Sequence, residues 1–194
     1  MNFLAHIYLS FGDSDITLGN FIADSIRGNK YKHLPPRVIK GIKLHRQIDT
    51  FTDAHSLHKK SSKRLHANYS HYSRVIVDIY YDHFLAKNWE RYSNIPLDIF
   101  VDDFYDLLAD NYSLLPDPVK RMMPYMIADN WIVNYANKEG IAKVLSGMNR
   151  RTKNKSKMNL AITDLEAYYE EFETEFTLFF EELIIFSKEK FKAL

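Results

Sequence analysis

Residues 70–92 hold apolar side chains at Val75, Ile76, Ile79, Tyr80, Phe84 and Leu85, a three-and-four spacing that one face of an α-helix produces and a strand does not. Asp78, Asp82 and His83 are set into the same run. Burying an unpaired carboxylate is costly, so a core helix of this composition needs solvent, cationic partners or a metal ion beside its acids.

The rest of the chain repeats the helical period. Residues 2–10 form a short apolar segment, residues 12–15 a turn with a helix cap, and 15–27 resume the spacing at Ile16, Leu18, Phe21, Ile22 and Ile26 until Gly28-Asn29. Pro35-Pro36 opens a helix that runs to about His55. Beyond residue 92, Pro96, Pro116-Asp117-Pro118 and Gly140 mark off helices near 97–112, 117–136 and 138–149. Residues 57–66 are a basic stretch leading into the core helix, and 150–157 a loop or frayed end. From 159 to about 190 one long amphipathic helix is expected, with acids interleaved between its aromatic residues. No alternating strand pattern occurs, so the expected fold is all-α: one irregular helical bundle forming a single domain over 1–194.

The chain has no Cys, so disulfides, thiolate nucleophiles and Cys-ligated metals are excluded and any metal site must use His, Asp or Glu. The start Met1-Asn2-Phe3-Leu4-Ala5-His6 lacks a basic leader, and no apolar run reaches the roughly 18 residues that span a bilayer. A soluble, cytoplasmic protein without a membrane partner is expected. Net charge is +1, which gives no reason to expect nucleic acid, but its distribution is uneven. Residues 27–64 carry eleven Lys or Arg against Asp49 and Asp53, and a second basic cluster spans Arg150 to Lys157.

Four polar pairs sit four residues apart within apolar segments: Asn2/His6, Asn20/Asp24, His45/Asp49 and Asp78/Asp82. That spacing puts both members on one helix face. Surface hydrogen bonding explains any single pair; convergence of several would make a metal site, and sulfur-free His and carboxylate ligands suit Mn²⁺, Mg²⁺, Fe or Zn²⁺. His33, His55, His58, His66 and His71 lie in polar stretches and are expected to be exposed and inert. The 27–64 cluster reads either as a solvated face or as a surface for an acidic partner.

The same residues carry a family resemblance. Met1-Asn2-Phe3-Leu4-Ala5-His6, then Gly19-Asn20-Phe21-Ile22-Ala23-Asp24 with Arg27-Gly28, then Gly41 through Asp53, and Asp78-Ile79-Tyr80-Tyr81-Asp82-His83-Phe84-Leu85-Ala86 together resemble the acyl carrier protein phosphodiesterases. These motifs cover the first 90 residues. The resemblance implies an all-helical, Mn²⁺-dependent relative of the HD-type metal phosphohydrolases, with Mg²⁺ or Fe as other candidate ions. This chain has no His-Asp dipeptide; it has Asp82-His83 in reverse order. The implied reaction is hydrolysis of the phosphodiester between a carrier-protein serine and 4′-phosphopantetheine. Carried onto this chain, the resemblance makes Asp24, His45, Asp49, Asp82 and His83 candidate metal ligands, with Asp24 also catalytic. His6 or His83 becomes the candidate general acid, and Arg27 or Arg46 the clamp on phosphate oxygens. Carrier proteins of this kind are acidic, so Arg37, Lys40 and Lys43 are the candidate docking residues. Two other readings stay open: a phosphohydrolase acting on a nucleotide or other small phosphodiester, and a silent binding protein for an acidic partner.

Overall fold

The computed structural model describes residues 1–194 and contains helices and turns but no strand. Its α-helices are α1 (Phe3–Tyr8), α2 (Ser14–Ile22), α3 (Pro36–Ala54), α4 (Ser56–Tyr69), α5 (Ser73–Lys87), α6 (Leu97–Asp110), α7 (Asp117–Ala128), α8 (Trp131–Asn134), α9 (Lys138–Arg151), α10 (Ala161–Ala167) and α11 (Tyr169–Lys192). No helix is long and apolar enough to cross a membrane. The starts follow local chemistry. The Asp13 side chain accepts from the Ile16 amide at 3.0 Å, Pro36 opens α3, and Asn137 accepts from the Gly140 amide at 2.7 Å.

Four segments depart from the sequence expectation. Residues 57–66 belong to helix α4, whose buried face holds His58, Ser61, Ser62, Leu65 and Tyr69. Small hydroxyls and an imidazole occupy most of that face, so an apolar count misses a stripe whose spacing is helical. The stretch 117–136 breaks after α7, where Asn130 turns left-handed at φ 42°, and the stretch from 159 breaks at Tyr168 between α10 and α11. α2 ends earlier than expected, at Ile22, and a single 3-10 turn, Ala23–Ser25, carries Asp24.

α5 is the central element. Tyr80, Tyr81 and Phe84 stack edge-on or tilted against Phe172, Phe179 and Tyr169 of α11, with ring centroids 5.0–5.3 Å apart. Such pairs add about 0.5–1.5 kcal/mol each beyond the area they bury. Glu175 of α11 is buried among them. Arg64 meets it with two bonds at 2.7 and 2.8 Å, and the Ser61 hydroxyl donates to it as well. Burial alone would raise the Glu175 carboxyl, but these donors hold it below the usual glutamate range.

α2 and α3 touch backbone to backbone at Gly19 and Gly41. A Cβ on Gly19 would lie 2.0 Å from the Val38 carbonyl oxygen, and one on Gly41 2.3 Å from that of Ile16. No side chain fits at either position without separating the helices.

Gly41→Ala is therefore expected to lower unfolding stability by at least about 1–3 kcal/mol, read by urea denaturation. Glu175→Gln should cost about 3 kcal/mol by stranding Arg64. A depressed folded-state pKa stabilises above the unfolded value of about 4.3, and that contribution is lost as pH falls through the folded one. The Gln variant should accordingly show a shallower loss of stability below about pH 4.3 than the parent, measured by melting temperature against pH.

Candidate metal centre

α1 supplies His6, α2 Asn20, the 3-10 turn after it Asp24, and α3 His45 and Asp49. The His6 and His45 rings stack with centroids 3.9 Å apart and planes 18° from parallel. Asn20 sets both. Its side-chain nitrogen donates to the His6 carbonyl at 2.8 Å and to Ser10 Oγ at 3.0 Å, which leaves its Oδ1 to accept from His6 Nδ1 at 2.8 Å. Its backbone carbonyl accepts from His45 Nδ1, also at 2.8 Å. Each imidazole is thus assigned its proton on Nδ1, and in the neutral rings both Nε2 lone pairs are free.

Those two nitrogens turn toward the same carboxylate. His6 Nε2 lies 3.3 Å from Asp49 Oδ1, and His45 Nε2 lies 3.0 Å from Asp49 Oδ2 and 3.1 Å from Asp24 Oδ1. His6 Nε2 is buried and makes no hydrogen bond there. Ligand atoms of His6, His45 and Asp49 fall within 4.8 Å of one another. An orphaned imidazole lone pair beside a second one and a carboxylate fits a divalent cation, and the shared asparagine is the kind of outer support that fixes ligating histidines.

The electrostatics agree with that fit. Burial and the neighbouring His45 push His6 down to about 4, so its ring is neutral at pH 7. Burial opposes charge on His45 as well, but its bonds to Asp24 and Asp49 outweigh that and lift it to about 9. Burial works against Asp49 too; the two histidines and the Met1 amino group hold it well below the usual carboxylate range. Asp24 is lowered mainly by its bond to His45. A divalent cation bound there would take the place of the Nε2 proton on the His45 imidazolium, releasing it.

Asp82 and His83 are not brought to this cluster. Both Asp82 oxygens accept amides of the first turn of α1, Leu4 at 2.7 Å and Ala5 at 3.2 Å, and burial raises its pKa to about 7. His83, one position further round α5, bonds the Tyr135 carbonyl and the Tyr169 hydroxyl, each at 2.7 Å. The two differ by about 100° around the helix and serve different neighbours. Arg46 donates to the Gly28 carbonyl at 2.7 Å and lies over the Tyr31 ring. Arg27 is exposed and lines a separate pocket of about 380 Å³ with Lys30 and His33.

Two residues acquire partners that the sequence pattern does not suggest. His58, expected to be exposed, is buried, and its Nε2 lies 3.0 Å from Asp78 Oδ1. Asp78 in turn lies 3.3 Å from the Met1 amino group, which is 3.6 Å from Asp49. The helical recurrence of 58, 61, 62, 65 and 69 is the signal in the sequence for burial of His58. His55, also expected to be free, is half-buried and pairs with Glu182.

The centre opens on a cleft of about 1780 Å³. Asp24, Asp49 and Asp78 line it, Met122, Val144 and Met148 give it an apolar wall, and Arg74 reaches it from α5, one turn before Asp78. The side chains of Asp24 and Asp49 are 69% and 39% exposed, whereas those of His6 and His45 are nearly closed off. Of the expected docking residues, Arg37 is ion-paired with Asp13, and Lys40 and Lys43 lie on α3 outside the cleft.

The sequence model of one family, acyl carrier protein phosphodiesterase, matches residues 1–183, a span that includes every residue of the centre. Proteins bearing that same name are similar over nearly the whole chain. One from Photorhabdus laumondii is 30% identical over 93% of this chain and 91% of its own length. One from Yersinia enterocolitica is 29% identical over 98% and 99%, and one from Escherichia coli 30% over 93% and 94%. No solved structure matches the chain.

Asn20→Ala frees the His6 ring and leaves the His45 bond to the backbone in place. Divalent-cation affinity, read by competition with a chelating dye, should fall about 10–100-fold while the helical circular dichroism persists.

Proposed function

Because this chain belongs to the acyl carrier protein phosphodiesterase family, we propose that it removes 4′-phosphopantetheine from holo acyl carrier protein by metal-assisted hydrolysis of the phosphodiester. The observation that carries this reading is the convergence of His6 Nε2, His45 Nε2 and Asp49 at the head of an open cleft. We take these three as the ligand set, with Asp24 beside them, and Mn²⁺ as the first ion to test, ahead of Mg²⁺ and Fe.

A divalent ion held there supplies Lewis acidity toward a phosphoryl oxygen and acidifies bound water. The chain's own residues do the rest. Asn20 accepts from Nδ1 of both rings and so keeps their Nε2 atoms directed at one point. Asp24, on the solvent side of His45, accepts the proton of the attacking water. As the new P–O bond forms, the bond from phosphorus to the serine oxygen breaks. The departing serine oxygen takes a proton, and His71, an exposed imidazole on the cleft wall, is the donor we assign. His6 does not suit that role, since it is buried, neutral and bonded through its only N–H to Asn20. Arg74 replaces Arg27 and Arg46 as the clamp on phosphoryl oxygens, because it lines the cleft, whereas Arg46 is bonded to the Gly28 carbonyl and Arg27 lines a separate pocket. Its one ion pair, with Asp53 at 3.4 Å, is exposed to solvent and weak enough to yield to a phosphate. The apolar wall of Met122, Val144 and Met148 accommodates the pantetheine arm.

Purified protein incubated with holo acyl carrier protein and Mn²⁺ should release phosphopantetheine, seen as the mass loss of the intact carrier. His45→Ala and Asp49→Ala should each lower the rate by more than about 100-fold. A folded sample that leaves the carrier intact with every divalent metal refutes the reading. Turnover of small diesters alone would point to a small-substrate phosphohydrolase.

A further inference from the structure

Four cations on the cleft wall have no ion-pair partner: Arg121 on α7, and Lys143, Arg150 and Arg151 on α9. Ion pairs engage six of the 26 Lys and Arg side chains, so what distinguishes these four is their position in the cleft, where Arg74 is the only paired basic residue. On α9 the cations share the cleft-lining stripe with Val144, Gly147 and Met148, a pattern of three, four and seven residues that selects one helix face. Arg150 and Arg151 sit in the last turn of α9, where the helix dipole favours positive charge. That accounts for neither Lys143 in its first half nor Arg121 on another helix.

We propose that this α7/α9 wall is the surface on which the acidic carrier protein docks, an inference that rests on the phosphodiesterase reading. The scissile phosphorus is bonded to the carrier's serine oxygen, so the carrier's own surface, and not only its arm, must close over Asp24 and Asp49. An acidic protein arriving there meets Asp24, Asp49 and Asp78 in one cleft. Like charges at close range repel by about 1 kcal/mol per pair at 4 Å even in water, so the approach needs compensating cations on the same cleft. Arg121, Lys143, Arg150 and Arg151 are exposed, unpaired and in that cleft. The basic face of α3 is poorer in both respects, since Arg37 is tied to Asp13 and neither Lys40 nor Lys43 lines the cleft.

The test compares two charge-reversed proteins with the parent: Arg121→Glu/Lys143→Glu/Arg150→Glu on the wall, and Arg37→Glu/Lys40→Glu/Lys43→Glu on α3. Binding of apo acyl carrier protein is measured by calorimetry, and KM and kcat for the holo form by intact mass. The wall variant should weaken binding and raise KM by about tenfold or more with a much smaller change in kcat, and it should lose most of the salt dependence of the parent. If the reversal prevents folding, the same three positions as Gln replace it, with a smaller change in the same direction. Binding by the wall variant equal to the parent's, or a larger loss from the α3 variant, overturns the proposal. A parent that binds the carrier through the wall but never releases phosphopantetheine refutes the phosphodiesterase reading and leaves the docking surface standing. Cleavage by the parent with an unaffected wall variant does the reverse.

Discussion

Asn20 hydrogen-bonds into α1 through its side chain and into α3 through its backbone carbonyl, and the candidate metal centre depends on that double engagement. The two stacked imidazoles come from helices distant in sequence, and one residue determines which nitrogen of each faces the carboxylates. The bonds require α2 and α3 to lie closer than ordinary side chains permit, which Gly19 and Gly41 allow at the cost of two flexible positions in helices. The motif Gly19-Asn20 therefore joins the contact that brings the helices together to the group that uses their proximity.

The same economy governs the buried acids. Asp82 binds two amides at the first turn of α1 and so anchors the helix that carries His6; it supports the centre without reaching it. Asp78 is shared by His58 and the Met1 amino group, and Glu175 is held by Arg64 and Ser61. Each of these core carboxylates has a designated partner, and removing either side of such an arrangement leaves an uncompensated charge or donor. Asp24 and Asp49 keep more solvent-facing surface than Asp78, which also reaches the cleft, and far more than Asp82 or Glu175, which is what a group that meets substrate or a cation needs.

The site is thus graded from inside to outside. Closed imidazoles form its base, two carboxylates its rim, and a cleft with an apolar wall and unpaired cations lies beyond. A centre built only from buried groups could not admit a phosphodiester attached to a folded protein, and one built only from exposed groups could not fix two ring nitrogens within hydrogen-bonding distance of one carboxylate.

Helical period, proline and glycine punctuation and the absence of cysteine are enough to determine an all-helical bundle and a sulfur-free centre, because these depend on interactions within a few residues along the chain. The pairs His45/Asp49 and Asn20/Asp24 are legible for the same reason, since four residues make about one turn. Which pairs converge is not written in the spacing. Asp82 and His83 share the signal, yet the rotation of α5 gives one to the start of α1 and the other to Tyr135 and Tyr169. α4, and the burial of His58 with it, is obscured because serine and histidine stand where its apolar stripe would be. Helix identity is set locally, whereas the direction of a polar side chain, and whether it ends beside a metal ligand or an amide, is set by the neighbouring helix that tertiary packing supplies.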